Sequence, residues 1–296
     1  MKSFHHEQFG DLNALVEAKS QAEKTISLCI PTLNEEGTIA RIIETIHQAL
    51  VTDFPLLDEL VVIDSGSSDR TRSLASEAGA EVVLATDILP FHGNRVGKGE
   101  NLWKAVHHCR GDIICFVDGD ITNIHPRFVY GTVGPLLTNP ELCYVKGFYE
   151  RPLLAQEGID PRGGGRVTEI LVRPLFQRFC PDLSQLHQPL AGEYAATRDI
   201  LESIPFPTAY GVETSHLIDV WRMRGINAIG QTDLDERRHR NRSLADLGRM
   251  SDQILEAFFS RLPDQRHSKS ERPPMIEIPD YLERFPRGQI EAKKKA

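Results

Sequence analysis

Ile113-Ile114-Cys115-Phe116-Val117-Asp118-Gly119-Asp120 is the stretch from which the rest of the chain is best read. A short apolar run bounded by polar residues fits a buried strand, and the acids after it stand where such a strand emerges into a loop. Two carboxylates at that mouth can hold a divalent ion against a diphosphate, because magnesium and manganese take hard oxygen ligands and keep positions open for phosphate. The tripeptide alone also fits an ordinary surface turn, so its meaning depends on its company.

Upstream, Ile26 to Ile30, Leu60 to Ile63 and Glu81 to Ala85 repeat the apolar pattern, separated by stretches with helical spacing. This alternation predicts an α/β fold, a Rossmann-like and mostly parallel sheet flanked by helices. Ligands collect beyond the carboxyl ends of such strands. Pro31-Thr32-Leu33-Asn34-Glu35 follows the first strand, Asp64-Ser65-Gly66-Ser67 the second and Asp118-Gly119-Asp120 the fourth, so three loops are expected on one edge. Ser68-Asp69 is the expected N-cap of a helix over Arg70 to Ala78 that Gly79 closes. Gly97-Lys98-Gly99 opens another helix, where the glycines let the chain turn closely and Lys98 offers a compact positive charge to a ligand; a solvated lysine is the alternative. Downstream, Cys143 to Tyr149, Ala191 to Thr197 and Ile226 to Gly230 read as strands, and Arg166 to Phe179 and Thr214 to Arg224 as helices. Leu244 to Leu262 is amphipathic and is expected to pack across the sheet or against a partner chain.

The 296 residues, 40% of them hydrophobic, allow one large domain with an appendage, and a net charge of −8 argues against broad nucleic-acid binding. No apolar run approaches the roughly 20 residues that span a bilayer, and the polar start lacks the core of a secretion signal. A cytoplasmic protein without membrane contact is expected. The five cysteines lack C-x-x-C spacing and read as buried thiols.

In this order P-x-L-N-E, D-S-G-S, G-K-G and D-x-D resemble the GT-A glycosyltransferases, which use nucleotide sugars. Four further blocks sharpen the resemblance toward the family of glucosyl- and mannosyl-3-phosphoglycerate synthases. They are Gly163-Gly164-Gly165-Arg166-Val167-Thr168-Glu169, Gln188-Pro189-Leu190-Ala191-Gly192-Glu193-Tyr194, Tyr210-Gly211-Val212-Glu213 and His239-Arg240-Asn241-Arg242. The resemblance implies a GT-A fold with a smaller acceptor-binding C-terminal part. It implies retaining transfer of glucose from UDP-glucose or GDP-glucose to the 2-hydroxyl of 3-phosphoglycerate, with Mg2+ or Mn2+, in a homodimer. Pro31, Leu33, Glu35, Ser65, Lys98, Asp118, Gly119 and Asp120 would take the nucleotide sugar. Gly165, Arg166, Thr168, Arg240 and Asn241 would take the acceptor, and Asp120 with His239 the metal. Glu213, Asp120 and Lys98 would be the catalytic groups. The implied organisation is an extension over 1–24, a nucleotide-sugar core over 25–150, an acceptor-binding and metal-completing region over 151–262 and a polar tail over 263–296.

The residues admit these roles without compelling them. Backbone N–H groups and the Arg166 guanidinium at a helix start suit an anion, although a glycine hinge gives the same pattern. His239 is otherwise a surface histidine, and Glu213 is otherwise a helix N-terminal acid. An imidazole ligand is more usual for manganese than for magnesium. Gly119 stands where the family commonly has serine, which keeps both acids but alters hydrogen bonding near the ribose. The alternatives are mannosyl transfer from GDP-mannose, transfer to a polyprenyl phosphate, and a non-catalytic nucleotide-sugar sensor. The glycine-arginine block counts against the lipid acceptor, and the intact acids and Lys98 count against the sensor.

Overall fold

The computed structural model describes residues 1–95, 97–151, 153–155, 158–160, 165–238 and 243–262, with backbone alone for 153–155 and 158–160. Contacts divide the chain into a compact unit, Met1–Arg261, and a second, Leu262–Ala296. All described elements belong to the first. The strands are β1 (Lys2–His5), β2 (Ile26–Thr32), β3 (Glu59–Asp64), β4 (Glu81–Leu84), β5 (Ile113–Phe116), β6 (Tyr144–Glu150), β7 (Leu153–Ala155), β8 (Gly158–Asp160), β9 (Tyr194–Thr197) and β10 (Ile229–Glu236). The α-helices are α1 (Leu12–Gln21), α2 (Ile39–His47), α3 (Thr71–Glu77), α4 (Lys98–His108), α5 (Arg127–Thr138), α6 (Arg173–Phe179), α7 (Arg198–Ser203), α8 (Val212–Arg224) and α9 (Leu244–Phe259).

Eight strands form one sheet in the order β1-β10-β6-β9-β5-β2-β3-β4, while β7 and β8 pair as a separate hairpin. All pairings in the large sheet are parallel except those of β9, which runs antiparallel to both β5 and β6. The central strands are buried almost throughout, as a sheet covered on both faces requires, and their apolar runs lack alternation for that reason. On α2, Ile39, Ile42, Ile43 and Ile46 recur at helical spacing and are fully buried in the core.

This order positions the site. From β2 the chain goes to β3 and β4 on one side and then crosses to β5 on the other, so the loops after β2 and β5 flank the point of reversal where ligands bind. Because β9 is antiparallel, the residues that precede it, Gly192 and Glu193, arrive at the same sheet edge as Asp118.

The expected strands and helices are present, with four differences. The residues before Thr25 are no mere extension: β1 pairs with β10 as the edge strand of the sheet. The last strand begins at Ile229, beyond a short 3-10 turn over Ile226–Ala228, because that turn uses the first apolar residues. Ser68-Asp69 does not cap α3, whose N-cap is Arg70 without a side-chain bond. Asp69 instead accepts from Thr71 N at 3.0 Å and Glu36 N at 3.2 Å, tying two loops together. Gly97 turns the chain as expected, at a φ of 139°, but both glycines of Gly97-Lys98-Gly99 also serve packing: a Cβ on either would overlap the carbonyl of Thr208 or Pro207.

Candidate active site

A cleft of about 560 Å3 lies along the carboxyl edge of the sheet. Its lining contains Pro31, Leu33, Glu35, Ser65, Lys98, Asp118, Gly119, Asp120, Gly165, Arg166, Thr168 and Glu213. The structure thus brings together every expected site residue among those described. His239, Arg240 and Asn241 lie outside the described residues.

The loops are built by their own polar residues. Asp64 is fully buried and accepts from Thr32 Oγ1 at 2.9 Å, Gly66 N at 3.0 Å and Ser67 N at 2.7 Å. That carboxylate is committed to shaping the turn, and Gly66 meets the turn's φ of 96° without a Cβ penalty. Ser65 is left at the cleft, where its Oγ accepts from Asn101 Nδ2 at 2.7 Å. Asn34, itself at φ 58°, receives Ser68 N on its Oδ1 at 2.9 Å and gives its own N–H to Ser67 Oγ at 2.8 Å. The β2 and β3 loops are therefore locked to one another.

An ion cluster forms the floor. Lys98 Nζ donates to Asp118 Oδ1 at 2.6 Å and pairs with Glu213 Oε1 at 2.8 Å. Arg237 Nη2 donates to Asp118 Oδ2 at 3.0 Å and Asp120 Oδ1 at 2.7 Å, and its Nε donates to Glu193 Oε1 at 3.0 Å. Glu193, with no exposed surface, also accepts from the Tyr149 hydroxyl at 2.5 Å. Burial raises the Asp118 carboxyl, but the charges of Lys98 and Arg237 overcome this and hold it well below the usual carboxylate range. Burial likewise lowers the Lys98 ammonium, and Asp118 and then Glu213 more than reverse it, so Lys98 stays charged. Four carboxylates are thus bridged by two cations, and the charges of Arg151 and Lys146 act on the same cluster.

Arg237 and Glu193 belong to this cluster, and neither is among the site residues expected from sequence. Arg237 sits in a basic run that looks like solvated loop, yet its side chain is only 1% exposed. Its three partners lie 44, 117 and 119 residues away in sequence, and no local signal announces them. Lys146, on β6, was also missed. Its amine lies 4.8 Å from the Tyr194 ring centroid with no hydrogen-bond partner, and burial lowers its pKa to about 8. The amphipathic segment becomes α9, which packs on α8 and lines the cleft with Leu247, Met250, Gln253 and Ile254.

The Glycosyl transferase family 2 model matches residues 27–153. A glucosyl-3-phosphoglycerate synthase of Petrotoga mobilis is 46% identical over 96% of this chain and 96% of its own length. One from Mycobacterium tuberculosis is 47% identical over 83% of this chain and 76% of its own. A crystal structure of the Mycobacterium tuberculosis enzyme in complex with phosphoglyceric acid superposes with a TM-score of 0.80 at 44% identity, covering 90% of this chain and 89% of that one. Another, in complex with Mn2+, uridine-diphosphate-glucose and phosphoglyceric acid, gives 0.77 at 45% identity, covering 86% and 85%. The sheet order, the acid-lined cleft at its switch point and likeness along nearly the whole chain agree: this chain belongs to the glucosyl-3-phosphoglycerate synthases, glycosyltransferases of GT-A fold.

Proposed function

We propose that this chain transfers the glucosyl group of a nucleoside-diphosphate glucose, UDP-glucose foremost, to the 2-hydroxyl of 3-phosphoglycerate with retention of anomeric configuration. The observation that carries the reading is Asp118, fastened between Lys98 and Arg237 beside Asp120, in a cleft that also holds Gly165, Arg166 and Thr168. The relative crystallised with uridine-diphosphate-glucose and phosphoglyceric acid supports the substrates.

In this reading Pro31, Leu33, Glu35, Ser65 and Gly119 receive the nucleoside, with Leu33, 51% exposed, offering an apolar surface to the base. Asp118 accepts from the ribose, and Lys98 faces the diphosphate. Arg166, the Gly165 corner at φ 78° and the Thr168 hydroxyl seat the acceptor phosphate, with Arg240 and Asn241 completing it. Asp120 and His239 would hold Mg2+ or Mn2+. Asp120 fits: it is a hard carboxylate donor on the cleft wall, and Arg237 holds it in place through its Oδ1. Structures of relatives with Mg2+ or Mn2+ and uridine diphosphate support this. When bound, the ion supplies charge that offsets the departing diphosphate.

Glu213, held by Lys98, orients the acceptor hydroxyl on the face from which the diphosphate leaves. The bond from the anomeric carbon to the diphosphate oxygen breaks as the bond to the glycerate oxygen forms, and the acceptor proton passes to the diphosphate. Lys98 steadies the charge that develops there. The five cysteines are all free, four of them buried, which suits a reducing cytoplasm. A homodimer completes the reading, with sedimentation as its check.

The test incubates purified protein and Mg2+ with 3-phosphoglycerate and a panel of UDP- and GDP-sugars. Nucleotide release from UDP- or GDP-glucose that requires the acceptor supports the proposal. Binding without turnover, or turnover only with a lipid phosphate, overturns it.

A further inference from the structure

A second group of potential metal ligands lies outside the cleft. β1 runs parallel to β10 with His5 opposite Asp233, and β10 is irregular between Asp233 and Glu236. Within that irregularity Asp235 adopts a φ of 63°, and its N–H is held by Asp233 Oδ1 at 3.0 Å. A non-glycine residue in the left-handed region is uncommon and points to a local purpose. The bulge turns the Asp235 carboxylate back onto β1, where Oδ1 lies 3.3 Å from His5 Nε2 and Oδ2 lies 2.7 Å from His6 Nε2.

Successive residues of a strand point to opposite faces. Here the strand stops at His5 and a 3-10 turn begins at His6, so both rings come to one side, centroids 4.7 Å apart. The three donor atoms lie within 4.8 Å of one another, and among the described residues this is the one such grouping of His, Cys, Asp or Glu. His6 is backed by a buried contact of 3.2 Å from its Nδ1 to the Tyr130 hydroxyl. A hydroxyl either gives or accepts a hydrogen bond, so Tyr130 supports both neutral tautomers of His6. With Nδ1–H donating to Tyr130, Nε2 presents its lone pair outward, as a metal-bound imidazole with an outer hydrogen-bond partner does. Nearby, Arg127 spends its Nε on Leu234 O at 2.7 Å and its Nη2 on Glu236 O at 3.2 Å, and stands 3.8 Å from Asp235 Oδ2. His5 Nδ1 accepts from Glu7 N at 3.4 Å, and Glu7 Oε2 lies 3.5 Å from the same nitrogen, a carboxylate able to accept from Nδ1–H in the tautomer whose Nε2 is free for an ion.

We propose that His5, His6 and Asp235 form an accessory site for a divalent transition-metal ion of the Zn2+ class. Two imidazoles and one carboxylate suit such an ion, with a fourth position for water, whereas Mg2+ prefers the oxygen donors of the cleft. On binding, neutral His6 would change tautomer: the proton it shares with Asp235 at Nε2 is exchanged through solvent for one on Nδ1, with no net proton released, and the Tyr130 hydrogen bond reverses direction. Asp235 precedes Arg237 by two residues, so the ion pins the exit of β10 that delivers Arg237 to Asp118 and Asp120. The ion is structural, joining the N-terminal strand to the segment that completes the cleft.

The test uses tag-free full-length protein, stripped of metal and given Zn2+ in the presence of excess Mg2+. A His239→Ala background removes the histidine proposed for the cleft site. Equilibrium dialysis with metal analysis is expected to find one Zn2+ per chain, lost in Asp235→Asn and His5→Ala and weakened about 10–100-fold in Tyr130→Phe. His5 is partly exposed, so its variant separates ligand loss from misfolding, and its metal-free melting temperature should match the parent's. Zinc-edge anomalous diffraction should place the ion among the three side chains. Absence of retained zinc, equal zinc in the parent and both ligand variants, or an anomalous peak elsewhere would overturn the proposal.

Discussion

Gly192→Ala probes the cluster without touching a charged residue. A Cβ built on Gly192 falls closer than 3.0 Å to Asp118 Cγ, Oδ1 and Oδ2, so the carboxylate must swing aside. Asp118 then loses at least one of its bonds, to Lys98 at 2.6 Å or to Arg237 at 3.0 Å. A charge-assisted hydrogen bond contributes about 1.5–3 kcal/mol net. At 1.36 kcal/mol per tenfold in rate, kcat/KM for the sugar nucleotide should fall roughly 10–200-fold. The assay is acceptor-dependent UDP release with varied UDP-glucose at saturating 3-phosphoglycerate and Mg2+, beside calorimetric binding of UDP with Mg2+. The KM for 3-phosphoglycerate should change little. Gly119→Ser is the control. Its Cβ meets side-chain carbons of Glu35 and Thr32 at 3.3 Å and Pro31 O at 3.5 Å, with nothing under 3.0 Å, and donor kinetics should stay within a few-fold of the parent. If Gly192→Ala kept donor kcat/KM within twofold of the parent, the placement of Asp118 would not matter and the reasoning would fail.

Arg237→Leu leaves three carboxylates without their shared cation, one of them fully buried, and should destabilise by about 3–5 kcal/mol. Thermal melts should show Mn2+ protecting the variant more than the parent, and equal protection would count against an ion beside this cluster. Lys146→Met acts through pH. Burial takes this lysine from an ordinary 10.5 to about 8, so between those values the unfolded chain binds more protons and parent stability rises with pH. The variant should be more stable by about 3 kcal/mol near pH 7, with the advantage fading toward pH 10, as urea titrations at several pH values can show. A gap independent of pH would refute it. Glu213→Gln should retain substantial acceptor-dependent turnover, since the diphosphate takes the proton; mass-spectrometric capture of a glucosyl adduct on Glu213 would refute front-face attack.

The parallel half of the fold was legible because β2, β3 and β5 are buried on both faces and read as unbroken apolar runs with polar loops after them. The loops they carry were legible for the same reason, which is why Asp118, Ser65 and Leu33 were found together. What escaped depends on contacts between distant segments. The run over Ala191 to Thr197 reads as a strand, but nothing in it says that it inserts antiparallel between β5 and β6 and so delivers Glu193 to the site. Arg237 resembles its basic neighbours until Asp118, Asp120 and Glu193 surround it. Gly97 and Gly99 read as a close turn, which Gly97 makes at a φ of 139°, but nothing local shows that the loop at Pro207 and Thr208 also needs their space. Local pattern thus revealed the strand ends, and long-range pairing chose which charges meet there.

The most direct test is a crystal structure of the full chain with Mn2+, UDP-glucose and 3-phosphoglycerate, read by manganese anomalous scattering. The account predicts the ion between Asp120, His239 and the diphosphate, with the acceptor phosphate on Gly165, Arg166 and Thr168. An ion away from Asp120, or an acceptor phosphate held elsewhere, would contradict it.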